Sequence, residues 1–176
     1  MTQDLLVSQL TFTLPLLWAA AETLGGFFGQ MGHVLAFGMA AFGSAVGIGM
    51  AGQAAAGAWA KEARAGRNLS FAYIILVGMP ISQTFYAMIV MGQMAGVVDD
   101  AQLFPVHTGL LLGIGIATGL GEMLSAWMQG LIGVAGIRAL ADGEGKGLAF
   151  IIIAMGIAET VGILTMVFLL GMIPAA

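Results

Sequence analysis

Residues 147–174 read GLAFIIIAMGIAETVGILTMVFLLGMIP, and Glu159 is the one charged side chain among them. A helix needs about 20 apolar residues to cross roughly 30 Å of hydrocarbon, so this stretch spans a membrane with length to spare. A charge near the middle of a span costs at least about 2.5–3.5 kcal/mol on insertion scales, and one that is kept points to a group that binds or moves an ion. The plainer explanation is a protonated, hydrogen-bonded structural Glu.

Three more stretches pass the same test, at about 31–60, 70–97 and 107–138. Short connections, Lys61–Leu69, Val98–Val106 and Ala139–Lys146, join the four into two antiparallel hairpins. The expected fold is an all-α membrane protein of four spans. Composition agrees: of 176 residues, 60% are hydrophobic and 8% charged, and the mean hydropathy is +1.01. Soluble domains carry about 25% charge, so a water-soluble enzyme is excluded. Five Lys+Arg against nine Asp+Glu cannot build the basic footprint that nucleic acid requires. With no cysteine there is no disulfide framework, iron–sulfur cluster or thiolate metal site.

Charge sets the orientation. Lys61, Arg64 and Arg67 lie in the first loop, Arg138 and Lys146 flank the third, and the remaining ends carry only acids: Asp4, Glu22, Asp99 and Asp100. By the positive-inside rule loops 61–69 and 139–146 are cytoplasmic and both termini lie outside, in what we expect to be a bacterial inner membrane. Residues 1–30 form an extension whose apolar runs are interrupted by polar residues and Pro15. Asp4 stands where a secretory signal would be positive. An interfacial or re-entrant helix is expected, with a cleaved leader or a fifth span as alternatives. The chain thus divides into an extension at 1–30, a first hairpin at 31–98 and a second at 99–176.

The hairpins are an internal repeat. A gap-free shift of 76 residues lays Gln53 on Gln129, Met79 on Met155, Pro80 on Gly156 and Gln83-Thr84 on Glu159-Thr160. Both halves run in the same direction, which disfavours an inverted-repeat carrier. Glycine is partitioned too: spans one and three hold 7 and 8, spans two and four hold 3 and 4. Small residues let helix backbones approach closely, so spans one and three belong in the crowded layer of an assembly.

Opposite Glu159, helical periodicity aligns Met79, Ser82, Gln83 and Tyr86 on one face of span two. Gln129 of span three lies at a similar depth, about 5 Å away along the axis at 1.5 Å per residue. Pro80 lacks a backbone N–H and distorts the helix beside this stripe. The collection offers only oxygen: one carboxylate, two amide oxygens, a hydroxyl and a backbone carbonyl. Hard cations want oxygen, and a single negative charge suits a monovalent one. A proton would need only the carboxyl in an apolar pocket. The bland alternative is that the glutamines and serine are ordinary interhelical hydrogen bonders.

Met79-Pro80-Ile81-Ser82-Gln83-Thr84-Phe85-Tyr86, Trp127-Met128-Gln129-Gly130 and Ala158-Glu159-Thr160 together resemble the membrane rotor proteolipid of V/A-type ATPases, the protein called c or K. The resemblance covers about 31–174 and is closest to the bacterial sodium-translocating members. It implies a closed ring of identical subunits, non-catalytic in itself, that turns as part of an ATP-driven translocase. It implies a Na+ site made by the Met79 carbonyl, Ser82, Gln83, Gln129 and Glu159, with Tyr86 bonding the carboxylate. It also implies an Arg-bearing stator membrane subunit, central-stalk subunits at the cytoplasmic loops, and lipid around the ring. Ser82 stands where the family usually has Thr. One carboxylate then serves four helices, because the first hairpin has Gln83 where the second has Glu159. A proton-carrying ring of the same type is the alternative. A self-contained carrier or channel, with Glu159 and Glu122 as a proton relay, and an inert membrane scaffold are further ones.

Glu122 falls outside that pattern. It lies two turns before Gln129 on the same face, and the repeat pairs it with Val46. It reads as a second titratable group near the path or as a protonated packing residue. Gly47-Ile48-Gly49-Met50-Ala51-Gly52 spells a dinucleotide-binding fingerprint, yet it sits inside a span with no strand before it and reads as helix packing. His33 and His107 read as interfacial residues, the 13 methionines as packing, and Gln53 as a vestigial half-site.

Overall fold

The computed structural model describes residues 3–175, with side chains from residue 13 onward. The described residues are helical throughout, apart from short connections. Helix α1 runs Gln3–Arg64, α2 Ala72–Gly78, α3 Ser82–Val98, α4 Leu103–Asp142 and α5 Leu148–Leu170. A 3₁₀ turn, Met79–Ile81, separates α2 from α3. Pro80 is the cause: it cannot donate to the carbonyl one turn earlier, and its ring crowds that carbonyl. Four segments are long and apolar enough to cross a membrane, with α2 and α3 counting as one.

Two expected boundaries differ. The extension is not a separate segment: α1 continues without a break through residue 30, and Pro15 sits inside it. From Gly25 onward α1 already lies against α4, with Gly29 facing the Phe104 ring and the Thr108 backbone. At 62 residues the helix is about 93 Å long, three times the hydrocarbon thickness. The last span ends at Leu170 rather than at 174. Gly171 begins the turn there, and Pro174 disfavours helix in the residue before it.

Helices α1 and α4 are the most extensively packed pair, and glycine is the reason. A Cβ on Gly43 would stand 2.5 Å from the Met123 carbonyl oxygen, and one on Gly47 2.5 Å from that of Ala126. A Cβ on Gly130 would fall on the Gly47 backbone. The expected crowding of spans one and three is therefore present within a single chain. Helix α5 covers one flank and leaves Phe150, Ile153, Ile157, Val161, Leu164 and Phe168 exposed.

Two apolar clusters fill the interior. One, toward the basic loops, gathers Ala51, Ala55, Tyr73, Leu76, Ile137, Leu140 and Met155. The other, toward the acidic end, gathers Val90, Met94, Val97, Leu111 and Ile114. Between them lies a buried polar layer: Ser44, Gln83, Thr118, Glu122, Ser125 and Gln129.

The connections are tied down. Glu62 is buried at the end of α1 and accepts hydrogen bonds from the Tyr73 hydroxyl (2.6 Å) and the Ser70 backbone N–H (2.9 Å). Trp59 donates its indole N–H to the Ser70 carbonyl, and Lys61 pairs with Asp142 across the two basic loops. At the opposite end Asp100 accepts the Gln102 and Leu103 backbone N–H groups at the start of α4. Those bonds hold its carboxyl below the usual carboxylate range.

Candidate ion-binding site

Glu159 sits in the polar layer, half-buried, on the face of α5 turned toward α3 and α4. The Tyr86 hydroxyl donates to its Oε1 at 2.8 Å, and the Gln129 amide donates toward Oε2 at 3.5 Å. The same amide also donates to the Met155 carbonyl at 3.3 Å. Three helices thus meet at one carboxylate.

Local sequence explains each placement. Tyr86 lies one turn after Ser82 on α3, so its ring reaches across to α5. Gln129 lies on the α4 stripe that faces Met155 and Glu159. In the 3₁₀ turn at Pro80 the Met79 carbonyl accepts both the Ser82 backbone N–H and, at 3.1 Å, the Ser82 hydroxyl. Irregular backbone at membrane depth is tolerated where it lines a site or is buried in protein.

Gln83 takes a different position from the one its spacing alone implies. It is fully buried, but its amide N–H points to the Ser125 hydroxyl (3.1 Å) and its carbonyl oxygen accepts from Ser82 (3.2 Å). It is linked to Glu159 through neighbours. Ser125 in turn donates to the Ala158 carbonyl at 2.9 Å, so α3, α4 and α5 are laced together at this level. Ser125 and Thr118 were not singled out from sequence. The signal was present: Thr118, Glu122, Ser125 and Gln129 fall at i, i+4, i+7 and i+11 on one face of α4.

The Gln129 carbonyl oxygen is buried with no hydrogen-bond partner among the described residues. In the low-dielectric interior an unpaired acceptor costs about 1–3 kcal/mol. Of the other expected oxygen donors, Glu159 is hydrogen-bonded to the Gln129 amide, whereas Ser82, Gln83 and the Met79 carbonyl are bonded to one another. Gln53, the repeat mate of Gln129, is exposed near the Lys61–Asp142 end and takes no part. Glu122 is fully buried, and its two carboxyl oxygens have no partner among the described residues.

A search among curated proteins finds no match for this chain. A family profile does match, and it does so twice: the one that describes the C subunit of ATP synthase covers residues 31–92 and again 112–172. The two matches fall on the two fused hairpins, the second containing Glu159. With four membrane-spanning segments, a duplicated hairpin and a buried carboxylate in the second copy, the chain belongs to the ATP synthase C-subunit family.

Proposed function

We propose that this protein is the ring-forming rotor subunit of a V/A-type rotary ATPase and that it carries Na+ on Glu159. Members of its family form oligomeric rings in ATP synthases, and the fused hairpins with one surviving site carboxylate per four helices support the V/A-type assignment. Fewer carboxylates around a ring of given size mean fewer ions per turn, an arrangement suited to pumping driven by ATP.

The observation that carries the reading is the Glu159 carboxylate held at mid-membrane by Tyr86 (2.8 Å) and Gln129 (3.5 Å). An ionised carboxylate facing lipid opposes rotation, whereas one neutralised by a bound cation does not. The ion enters from a half-channel in the neighbouring stator. It is bound by Glu159, the Gln129 and Gln83 carbonyl oxygens, the Ser82 hydroxyl and the Met79 carbonyl. The neutral site then moves through the lipid-facing arc. A stator Arg displaces the ion on the far side. The basic loops at 61–69 and 139–146 meet the central stalk. Tyr86 orients the carboxylate so that its other oxygen faces the ion.

The preference for Na+ rests on donor chemistry. Two amide oxygens and a hydroxyl are unneeded for a proton and well suited to a small hard monovalent cation.

Carbodiimide labelling of Glu159 tests it, since the reagent attacks only the protonated carboxyl. Na+ at near-neutral pH is expected to protect Glu159, with the protecting concentration rising as pH falls and protons compete. Protection by raised pH alone, with Na+ inert, assigns the passenger as a proton. Undiminished transport in Glu159→Gln would overturn the carrier role altogether.

A further inference from the structure

Glu122 is a carboxyl that the Glu159 site does not use. It is 0% exposed, and both its oxygens lack a hydrogen-bond partner among the described residues. One turn away on the same face of α4, the Thr118 hydroxyl is also fully buried and without a partner. One turn the other way lies the Ser125 hydroxyl, which donates to Ala158 and accepts from Gln83 and keeps a further lone pair.

Space is provided from α5. A Cβ on Gly162 would stand 2.5 Å from Glu122 Oε2, 3.2 Å from Ser125 Oγ and 3.3 Å from Gln83 Cγ. The missing side chain therefore leaves the room that the Glu122 carboxyl itself fills. The repeat shows how unusual this arrangement is. Shifted by 76 residues, Gly162 falls on Tyr86, and Glu122 falls on Val46. Where the first hairpin has a large aromatic and an apolar partner, the second has no side chain and an acid.

We infer that Thr118, Glu122 and Ser125, packed against Gly162, form a second monovalent-cation site in each protomer, beside the Glu159 site and separate from it. A carboxylate with no partner in a membrane interior must be neutralised, and one charge calls for one monovalent cation. The shared chemistry is neutralisation of the carboxylate: Na+ would draw on the Thr118 and Ser125 hydroxyls as well, a proton on the carboxyl alone. Glu122 is wholly enclosed by its own chain, while Glu159 is half-buried toward the outer flank. The second cation is accordingly resident and does not exchange at each turn. The inference goes beyond the Glu159 reading and does not rest on it.

The test is Na+ equilibrium binding to the full-length chain in its native assembly, together with infrared detection of protonated carboxyl groups. If the resident cation is Na+, the wild type binds two per chain, and Glu122→Gln and Glu159→Gln each lose a different one. If it is a proton, the wild type binds one Na+, and a protonated-acid carbonyl band persists at saturating Na+ and disappears in Glu122→Gln. Gly162→Ala puts a methyl 2.5 Å from Glu122 Oε2, keeps the acid and forces its carboxyl to move. It is expected to abolish the second Na+ or to shift that band, and it serves where Glu122→Gln does not assemble. One Na+ per chain with no protonated carboxyl assignable to Glu122 overturns the inference. So does a Gly162→Ala protein identical to wild type in both measurements.

Discussion

The hydroxyl of Tyr86 is the shortest contact made to the Glu159 carboxylate, at 2.8 Å. Hydrogen bonds to charged groups contribute about 1.5–3 kcal/mol, and each 1.4 kcal/mol is a factor of ten. Tyr86→Phe removes that bond and keeps the ring. The Na+ concentration that protects Glu159 from carbodiimide should therefore rise about tenfold or more. An unchanged protecting concentration would show that the phenol merely packs. Gln83 behaves differently: its amide bonds Ser125, which in turn bonds the Ala158 carbonyl beside Glu159. Helical spacing puts it on the stripe with Ser82 and Tyr86. Which way its amide turned depended on Ser125, a residue of another helix.

At the scale of elements, the close approach of α1 and α4 depends on glycines at the crossing. Gly47→Ala would drive a methyl to within 2.5 Å of the Ala126 carbonyl and 3.0 Å of Pro80 Cβ. Backbone cannot yield as a flexible side-chain end can. The cost of such overpacking is about 1–3 kcal/mol, measurable as a lower midpoint of thermal unfolding in detergent. Because Pro80 lies in the 3₁₀ turn whose Met79 carbonyl belongs to the proposed donor set, the same substitution should also weaken Na+ protection of Glu159. An unfolding midpoint equal to wild type would mean that the helices can part without loss. The spans themselves were legible from hydropathy, and so was the distortion at Pro80. The continuity of α1 past residue 30 was not. Local polarity in that stretch marks an interruption, whereas Gly25 and Gly29 packing against Phe104 and Thr108 carries the helix onward.

For the whole molecule, the exposed apolar face of α5, from Phe150 through Ile157 to Phe168, is left uncovered by the chain itself. Glu159 is only half-buried on that flank. On the proposed reading, lipid and neighbouring copies in the ring cover both. Native mass spectrometry of the detergent-extracted protein should show a closed ring of many copies. A dimer would favour a self-contained carrier instead. Lys61–Asp142 and the Glu62–Tyr73–Ser70 bonds keep both basic loops at one end of the helices, which is where the proposed ring would meet a stalk.

Sequence by itself determined what local physics controls: four apolar stretches long enough to span, and a duplicated hairpin. Periodicity also placed Ser82, Gln83, Tyr86 and Gln129 on their proper helix faces, since 3.6 residues per turn is a property of the backbone alone. Only the tertiary structure decided which polar atoms meet. The pairing of Gln129 with Met155 and Glu159, the diversion of Gln83 to Ser125 and the packing of the Glu122 carboxyl against Gly162 all depend on how far apart helix axes lie. That spacing is set by glycines on helices distant in sequence, so no single stretch of the chain contains it.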